Sequence, residues 1–345
     1  MSRLATMFMA AVVATSMIFW FSTVTKAEGD GVLDTYTNPV GDIAQIGDPF
    51  VMKHEGEYYL YATSLSSRGF YVWHSLDLIN WDLKGKALDC LWEGNWWGGQ
   101  DFWAPEVIYY EGRFYMTYSA RDGDDHLKIA LAASDDPLGP FINVKAPYFD
   151  RGASFIDAHI FVDDDGTPYM FYVKDCSENV IDGKHVSQIY VQQMSEDLLE
   201  LQGEPILAVE PSEPWEFRSG DWLWNEGPFA LKHDGVYYLM YSANFYGSSD
   251  YAIGYATALS PLGPWIKYEG NPILAKDLDI GVSGPGHNSV TRSPDGTELL
   301  VVYHTHTYPE HPSGNRTVNI DRLCLEDGIL KVKGPTRSPQ PAPSK

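Results

Sequence analysis

Basic residues are scarce: 24 lysines and arginines stand against 47 aspartates and glutamates, a formal net charge of −23. A surface of that sign repels nucleic acid and anionic membranes and leaves neutral or cationic partners. The same acidity serves simply to keep an exported protein dispersed, so it constrains function without naming one. Cysteine is nearly absent too. Cys90, Cys176 and Cys324 are far apart, odd in number and without metal-ligand spacing, so at most one disulfide can form. Beyond the N-terminus no segment is apolar for long enough to span a bilayer, which speaks against stable membrane association. Helical periodicity is hard to find there as well. What the chain does have is 44% hydrophobic and 14% aromatic residues, ample for a large buried core.

The first 27 residues stand apart. Arg3 precedes an apolar run from Leu4 to Phe21, and the small-residue pattern Thr25-Lys26-Ala27 follows. A basic start, an apolar stretch and small residues before the cut describe a signal peptide over residues 1–27, hence a secreted or periplasmic protein. The length of the run leaves an uncleaved anchor as the alternative. No cysteine lies near the cut, against a lipid-anchored form.

An internal repeat organises the rest. One pattern recurs five times: a polar or acidic opener, an apolar run, a glycine-centred turn and an aromatic-rich run. The turn glycines are Gly56, Gly112, Gly166, Gly235 and Gly296. Glycine supplies the positive φ of a tight hairpin, and the flanking β-branched and aromatic residues favour strands. A third strand follows several hairpins, as in Gly69-Phe-Tyr-Val-Trp-His-Ser, Leu127-Lys-Ile-Ala-Leu-Ala-Ala-Ser and Tyr251-Ala-Ile-Gly-Tyr-Ala-Thr. Units of three or four short antiparallel strands, five times over, predict an all-β, five-bladed β-propeller across residues 28–333. Residues 334–345 are polar and Pro-rich and read as a frayed tail or truncated linker.

In a propeller the first strand of each blade lines the axis, so the openers Asp48, Asp157, Glu226 and His287 converge from distant parts of the chain. Three carboxyl groups and an imidazole in one funnel repel one another and lose solvation, costs that a purely structural design avoids. Any one acid alone reads as an ordinary turn residue. Together they are the equipment of glycoside hydrolysis, in which one carboxylate activates water and a protonated carboxyl donates to the leaving oxygen. A third acid nearby raises the pKa of the donor and orients it.

Gly47-Asp48-Pro49-Phe50, Trp103-Ala104-Pro105-Glu106-Val107, Phe155-Ile156-Asp157, Glu226-Gly227-Pro228, Gly286-His287-Asn288-Ser289 and the late Arg316 together resemble the motifs of glycoside hydrolase family 43, in that family's order. The resemblance runs from Asn38 to about Val332. It implies a five-bladed propeller that hydrolyses plant polysaccharides or oligosaccharides with inversion. Asp48 is then the general base, Glu226 the general acid and Asp157 the residue that tunes and orients Glu226. Arg316 matches an arginine that reaches the sugar in the first subsite. His287 matches an axial histidine that approaches a calcium ion or its waters in the central channel. The wording around Phe70 and Trp103 is closer to exo-acting α-L-arabinofuranosidases and β-xylosidases than to endo-arabinanases. An endo-arabinanase or exo-galactosidase of the same family and a non-catalytic sugar-binding propeller remain as alternatives.

Other residues read both ways. Trp103 stacks on a sugar or packs between blades, and the aromatics of residues 92–101 and 215–224 face sugar or core. Glu106 reads as structural. Asp163-Asp164-Asp165-Gly166 fits a hairpin turn better than a calcium loop. His304 and His306 share a strand face but lack a third ligand for zinc.

Overall fold

The computed structural model describes residues 34–345 apart from residues 122, 124 and 125, so the signal-peptide reading lies outside the described residues. The runs around each turn glycine pair into hairpins, and each hairpin gains two outer strands, giving five four-stranded antiparallel blades. Blade one is β1 (Ala44–His54), β2 (Glu57–Thr63), β3 (Gly69–Ser75) and β4 (Asp82–Asp89). Blade two is β5 (Gln100–Tyr110), β6 (Arg113–Arg121), β7 (Leu127–Ser134) and β8 (Ile142–Lys145). Blade three is β9 (Phe155–Val162), β10 (Pro168–Lys174), β11 (Gln188–Met194) and β12 (Leu201–Val209). Blade four is β13 (Asn225–His233), β14 (Val236–Ala243), β15 (Ala252–Ala258) and β16 (Ile266–Lys267). Blade five is β17 (Gly286–Arg292), β18 (Leu299–His306), β19 (Arg316–Glu326) and β20 (Ile329–Val332).

The ring closes between the last blade and the first, where Ala44 and Ile46 of β1 pair with Thr317 and Arg316 of β19. The Val40 N–H donates to the Val318 carbonyl just outside that seam. Hydrophobic cores lie between neighbouring blades. Tyr61, Phe70, Phe102 and Tyr118 pack between the first two, and Leu60, Leu300, Val302 and Ile320 seal the closure. Among the described residues helix is limited to two short 3-10 turns, and no helix is long and apolar enough to cross a membrane.

One expectation changes. The segment after Lys333 does not fray: Gln340–Pro341 pairs with Thr35–Tyr36. Arg337 donates to Asn319 (2.7 Å) and Thr305 (3.0 Å), and the Ser344 N–H to Glu298 (2.9 Å). An extended proline-rich chain satisfies none of its own backbone groups, so it gains by bonding to polar groups left on blade five. Cys90, Cys176 and Cys324 are all free thiols, so the fold carries no disulfide.

One local device sets the active face. Every inner strand carries a β-bulge near its start, at Gly47/Phe50, Trp103/Glu106, Ile156/His159, Glu226/Phe229 and Gly286/Ser289. The residue inside each bulge has positive φ: Asp48 (54°), Ala104 (44°), Asp157 (54°), Gly227 (57°) and His287 (49°). Non-glycine residues rarely adopt this conformation, and strain of this kind clusters at functional sites. Bulges re-aim side chains, and those of Asp48, Asp157 and His287 come to line one pocket.

Candidate active site

Asp48, Asp157, Glu226 and His287 meet there with Trp103 and Arg316, lining a pocket of about 310 Å³. Glu226 is not in register with the other openers, as the repeat had suggested. Gly227 occupies the bulge position of blade four, and Glu226 stands one residue ahead, level with Gly47, Trp103, Ile156 and Gly286. A Cβ on Gly227 would sit 3.1 Å from the His287 ring, so an acid in the bulge itself would crowd the axis. The openers stand eight residues before the turn glycine in blades one and two and nine before it in blades three to five, so that distance does not reveal where the bulge falls.

The position ahead of the bulge faces the preceding blade. A Cβ on Gly47 would lie 1.8 Å from the Arg316 guanidinium, and one on Gly286 would lie 2.1 Å from the Tyr251 ring. Both glycines therefore clear space for a side chain from the blade before. Arg316 uses its space to reach Asp48, donating from Nη1 to Oδ1 at 2.9 Å. Tyr251 uses its own to donate from its hydroxyl to Glu226 Oε1 at 2.8 Å. Gly47→Ala is thus expected to displace the end of the flexible Arg316 while sparing the core. We expect kcat/KM to fall about tenfold or more, with Tm within about 2 °C of wild type, by steady-state kinetics and thermal unfolding.

The two carboxyl groups are held in opposite states. Burial alone would raise the pKa of Asp48. Arg316, His287 and His304 beside it, with the Thr63 hydroxyl donating to Oδ2 at 2.6 Å, outweigh burial and hold it well below the usual carboxylate range. Glu226 is driven well above its ordinary value, first by burial and then by the negative charge of Asp157. The Tyr251 hydroxyl opposes that rise. Asp157 itself is pushed up to about 6 by burial and by the charges of Asp48 and Glu106, against His287 and the Gly227 N–H. That N–H donates to Asp157 Oδ2 at 3.0 Å. The site therefore holds an anion on one side and a protonated carboxyl on the other.

His287 turns its Nδ1 to Asp48 Oδ1, 3.3 Å away. The next layer of the inner strands is Phe50, Phe229 and the buried Glu106–His159 pair (2.6 Å), which bears out the structural reading of Glu106. No group of three or more His, Cys, Asp or Glu among the described residues could hold a metal. The carboxylate beside His287 already accepts from Arg316 and Thr63, and the structure gives no support for the ion that the resemblance implied for His287.

Trp103 is half-buried against the core of blades three and four and also lines the pocket. The loop aromatics divide. Trp97 (9% exposed) packs on Tyr118 and Trp96 (81%) faces solvent, both away from the pocket; Trp215 packs on Tyr241. Trp222 and Trp224 do line the pocket. Asp163 binds Lys232 and Tyr237 at its hairpin. His304 stacks on Tyr251 (5.5 Å, 3° between planes), and His306 donates from Nε2 to the Tyr246 carbonyl and bonds the Ser283 hydroxyl through Nδ1. Thr63, Tyr251 and Asp175 were missed. Thr63 had a signal, because it stands seven residues after its turn glycine, as Ser119 and Ser242 do.

An ionised carboxylate facing a protonated one across a sugar-sized pocket is the arrangement of a glycoside hydrolase. The model of glycosyl hydrolases family 43 matches residues 36–330, and the chain belongs to that family. A thermostable family-43 glycoside hydrolase of known crystal structure is 71% identical with a TM-score of 0.89, over 90% of this chain and 100% of that one. A β-D-galactofuranosidase of Aspergillus niger is 28% identical over 83% of this chain and 82% of its own. An extracellular exo-α-(1→5)-L-arabinofuranosidase of Streptomyces avermitilis is 26% identical over 80% of this chain, which spans only 57% of that protein. The protein is accordingly an enzyme that hydrolyses O-glycosyl bonds, and the reading as a non-catalytic sugar binder gives way.

Proposed function

We propose that the chain is a secreted, inverting exo-glycosidase that releases single pentoses, α-L-arabinofuranose or β-D-xylose, from hemicellulose or pectin side chains. The observation that carries the reading is the opposed protonation of Asp48 and Glu226 within one pocket. Asp48 takes a proton from water on one face of the sugar as that water attacks the anomeric carbon. Glu226 gives its proton to the leaving oxygen on the other face. Asp157 keeps Glu226 protonated through its charge and, through the Gly227 N–H, stays fixed to the strand that carries it. Arg316 and His287 hold Asp48 and border the sugar.

Hydrolysis of 4-nitrophenyl α-L-arabinofuranoside and β-D-xyloside, with the anomer of the first product read by NMR, tests the reading. Turnover of either with inversion supports it. Turnover of neither, or retention, overturns it. The Aspergillus niger relative favours a second reading, and 4-nitrophenyl β-D-galactofuranoside as sole substrate would select it.

An aromatic shelf supports action on a sugar chain rather than on a small glycoside. Lys184–Val186 pairs with Trp222–Leu223, which lays Trp222 flat on His185, ring centroids 3.8 Å apart and planes 2° apart. Trp222, Trp224 and Phe245 then border a hollow of about 520 Å³ that shares both tryptophans with the pocket. Trp224 stands two residues before Glu226 and lines the pocket with it, which supports placing the shelf on the leaving-group side. Trp222 is 41% exposed, free to stack on a sugar ring. Trp222→Ala is expected to cost about 1.5 kcal/mol, roughly tenfold in kcat/KM, on a pentose tetrasaccharide relative to the disaccharide. An unchanged ratio of the two would remove the shelf from the substrate path.

A further inference from the structure

Two carboxylates, Asp48 and Asp157, occupy the same bulge position in blades one and three, yet they are bonded differently. The difference traces to one place on the second strand of each blade. The residues paired with Gly47, Trp103, Ile156, Glu226 and Gly286 are Thr63, Ser119, Val173, Ser242 and His304. Four of these five carry a side-chain acceptor, and each receives the bulge N–H of the next blade around the ring. Ala104 N–H donates to Thr63 Oγ1 (2.8 Å), Asp157 N–H to Ser119 Oγ (3.1 Å), His287 N–H to Ser242 Oγ (2.7 Å) and Asp48 N–H to His304 Nδ1 (3.2 Å). Val173 has nothing to offer. The one bulge N–H it faces, that of Gly227, goes to the Asp157 carboxylate instead.

A buried N–H requires an acceptor, and an unmade bond there costs far more than a poor one. The fully buried isopropyl group of Val173 therefore leaves Asp157 as the acceptor for Gly227. In blade one Thr63 does two things at once: it accepts the neighbouring N–H and donates its own proton to Asp48. With Val at the equivalent place, Asp157 receives no hydroxyl donor and is bonded to the residue that follows Glu226.

We infer that Val173 is a positioning residue: by withholding a hydrogen-bond partner at this register position it ties Asp157 to the Glu226 strand and makes it a tuner of the acid. A hydroxyl there would make Asp157 resemble Asp48. The inference rests on the proposed role of Asp157 and explains how the fold produces it. The groups facing Asp157 are Asp48 on blade one, Glu106 on blade two, Glu226 on blade four and His287 on blade five, and a change at Val173 alters none of them.

The test is kcat and KM against pH for wild type, Val173→Thr, Val173→Ala and Asp157→Asn, on a pentose disaccharide, whose sugar leaving group needs the proton of Glu226. If ionised Asp157 is needed, wild-type kcat falls as the pH drops through about 6, and Asp157→Asn abolishes that limb. Val173→Thr supplies the donor that Asp48 has. It is expected to exchange the Gly227 N–H at Asp157 for a hydroxyl donor, to move the limb by about half a unit or more, and to lower kcat about fivefold with KM within about twofold. Val173→Ala removes packing without adding a hydroxyl, so it should lower Tm and leave the limb in place. A Val173→Thr profile that superimposes on wild type, or shifts no differently from Val173→Ala, overturns the inference. A limb that survives in Asp157→Asn overturns the role of Asp157 instead, and the inference with it.

Discussion

Glu226→Gln is expected to lower kcat about 10²–10⁴-fold on substrates with a sugar leaving group and far less on 4-nitrophenyl glycosides. The reason lies in what the site does to the proton. Burial and the charge of Asp157 keep Glu226 protonated well above the usual carboxyl range, and Tyr251 fixes its Oε1. A sugar alkoxide cannot depart without a proton, whereas nitrophenolate nearly can. The penalty should therefore grow with the basicity of the leaving group across a series of aryl pentosides. Gln preserves the shape and still accepts the Tyr251 hydroxyl, so Tm should hold or rise. The basic limb of the pH profile should also disappear, because the group that loses its proton as pH rises is gone. A uniform loss across leaving groups would mean that Glu226 is not the donor.

Much of this arrangement was legible in the sequence because propeller blades repeat. The turn glycines gave the hairpins, and their register gave Asp48, Asp157 and His287 as axial residues. Glu226 was found by the same reasoning but assigned to the wrong register position, since a bulge inserts a residue without leaving a mark in hydrophobic alternation. The residues that set the electrostatics were harder to see. Tyr251 reads as the start of a strand, and only the empty space over Gly286 explains why it reaches Glu226. His304 looked like half of a metal site, yet burial and the Arg316 charge hold it neutral, an acceptor for the Asp48 N–H. The tail was misread for a different reason: composition reports that a segment has no core of its own, not that a neighbour offers it partners. Glu106 and His159 gave no hint of pairing, because side chains from different blades meet only once the ring has closed.

Asp48→Asn should cost about 10²–10⁴-fold in kcat for every leaving group alike, the counterpart of the graded loss at Glu226. An amide cannot take a proton from water, whatever departs on the other face. Asp48 also accepts from Arg316 and Thr63 in the buried wall of the pocket. Its replacement leaves a cation without its counter-charge, a change that costs about 3–5 kcal/mol when the partner is fully buried. Tm should therefore fall, and activity must be read below the new transition. Azide separates the two effects. It is a nucleophile that needs no base, so it should restore turnover of the Asp48→Asn enzyme and give a glycosyl azide of inverted configuration. It should do nothing for Glu226→Gln on a sugar leaving group, where the missing step is protonation. Rescue of both variants, or of neither, would break the division of labour between the two carboxyl groups. Rescue of Asp48→Asn alone would fix the side of the sugar from which water attacks.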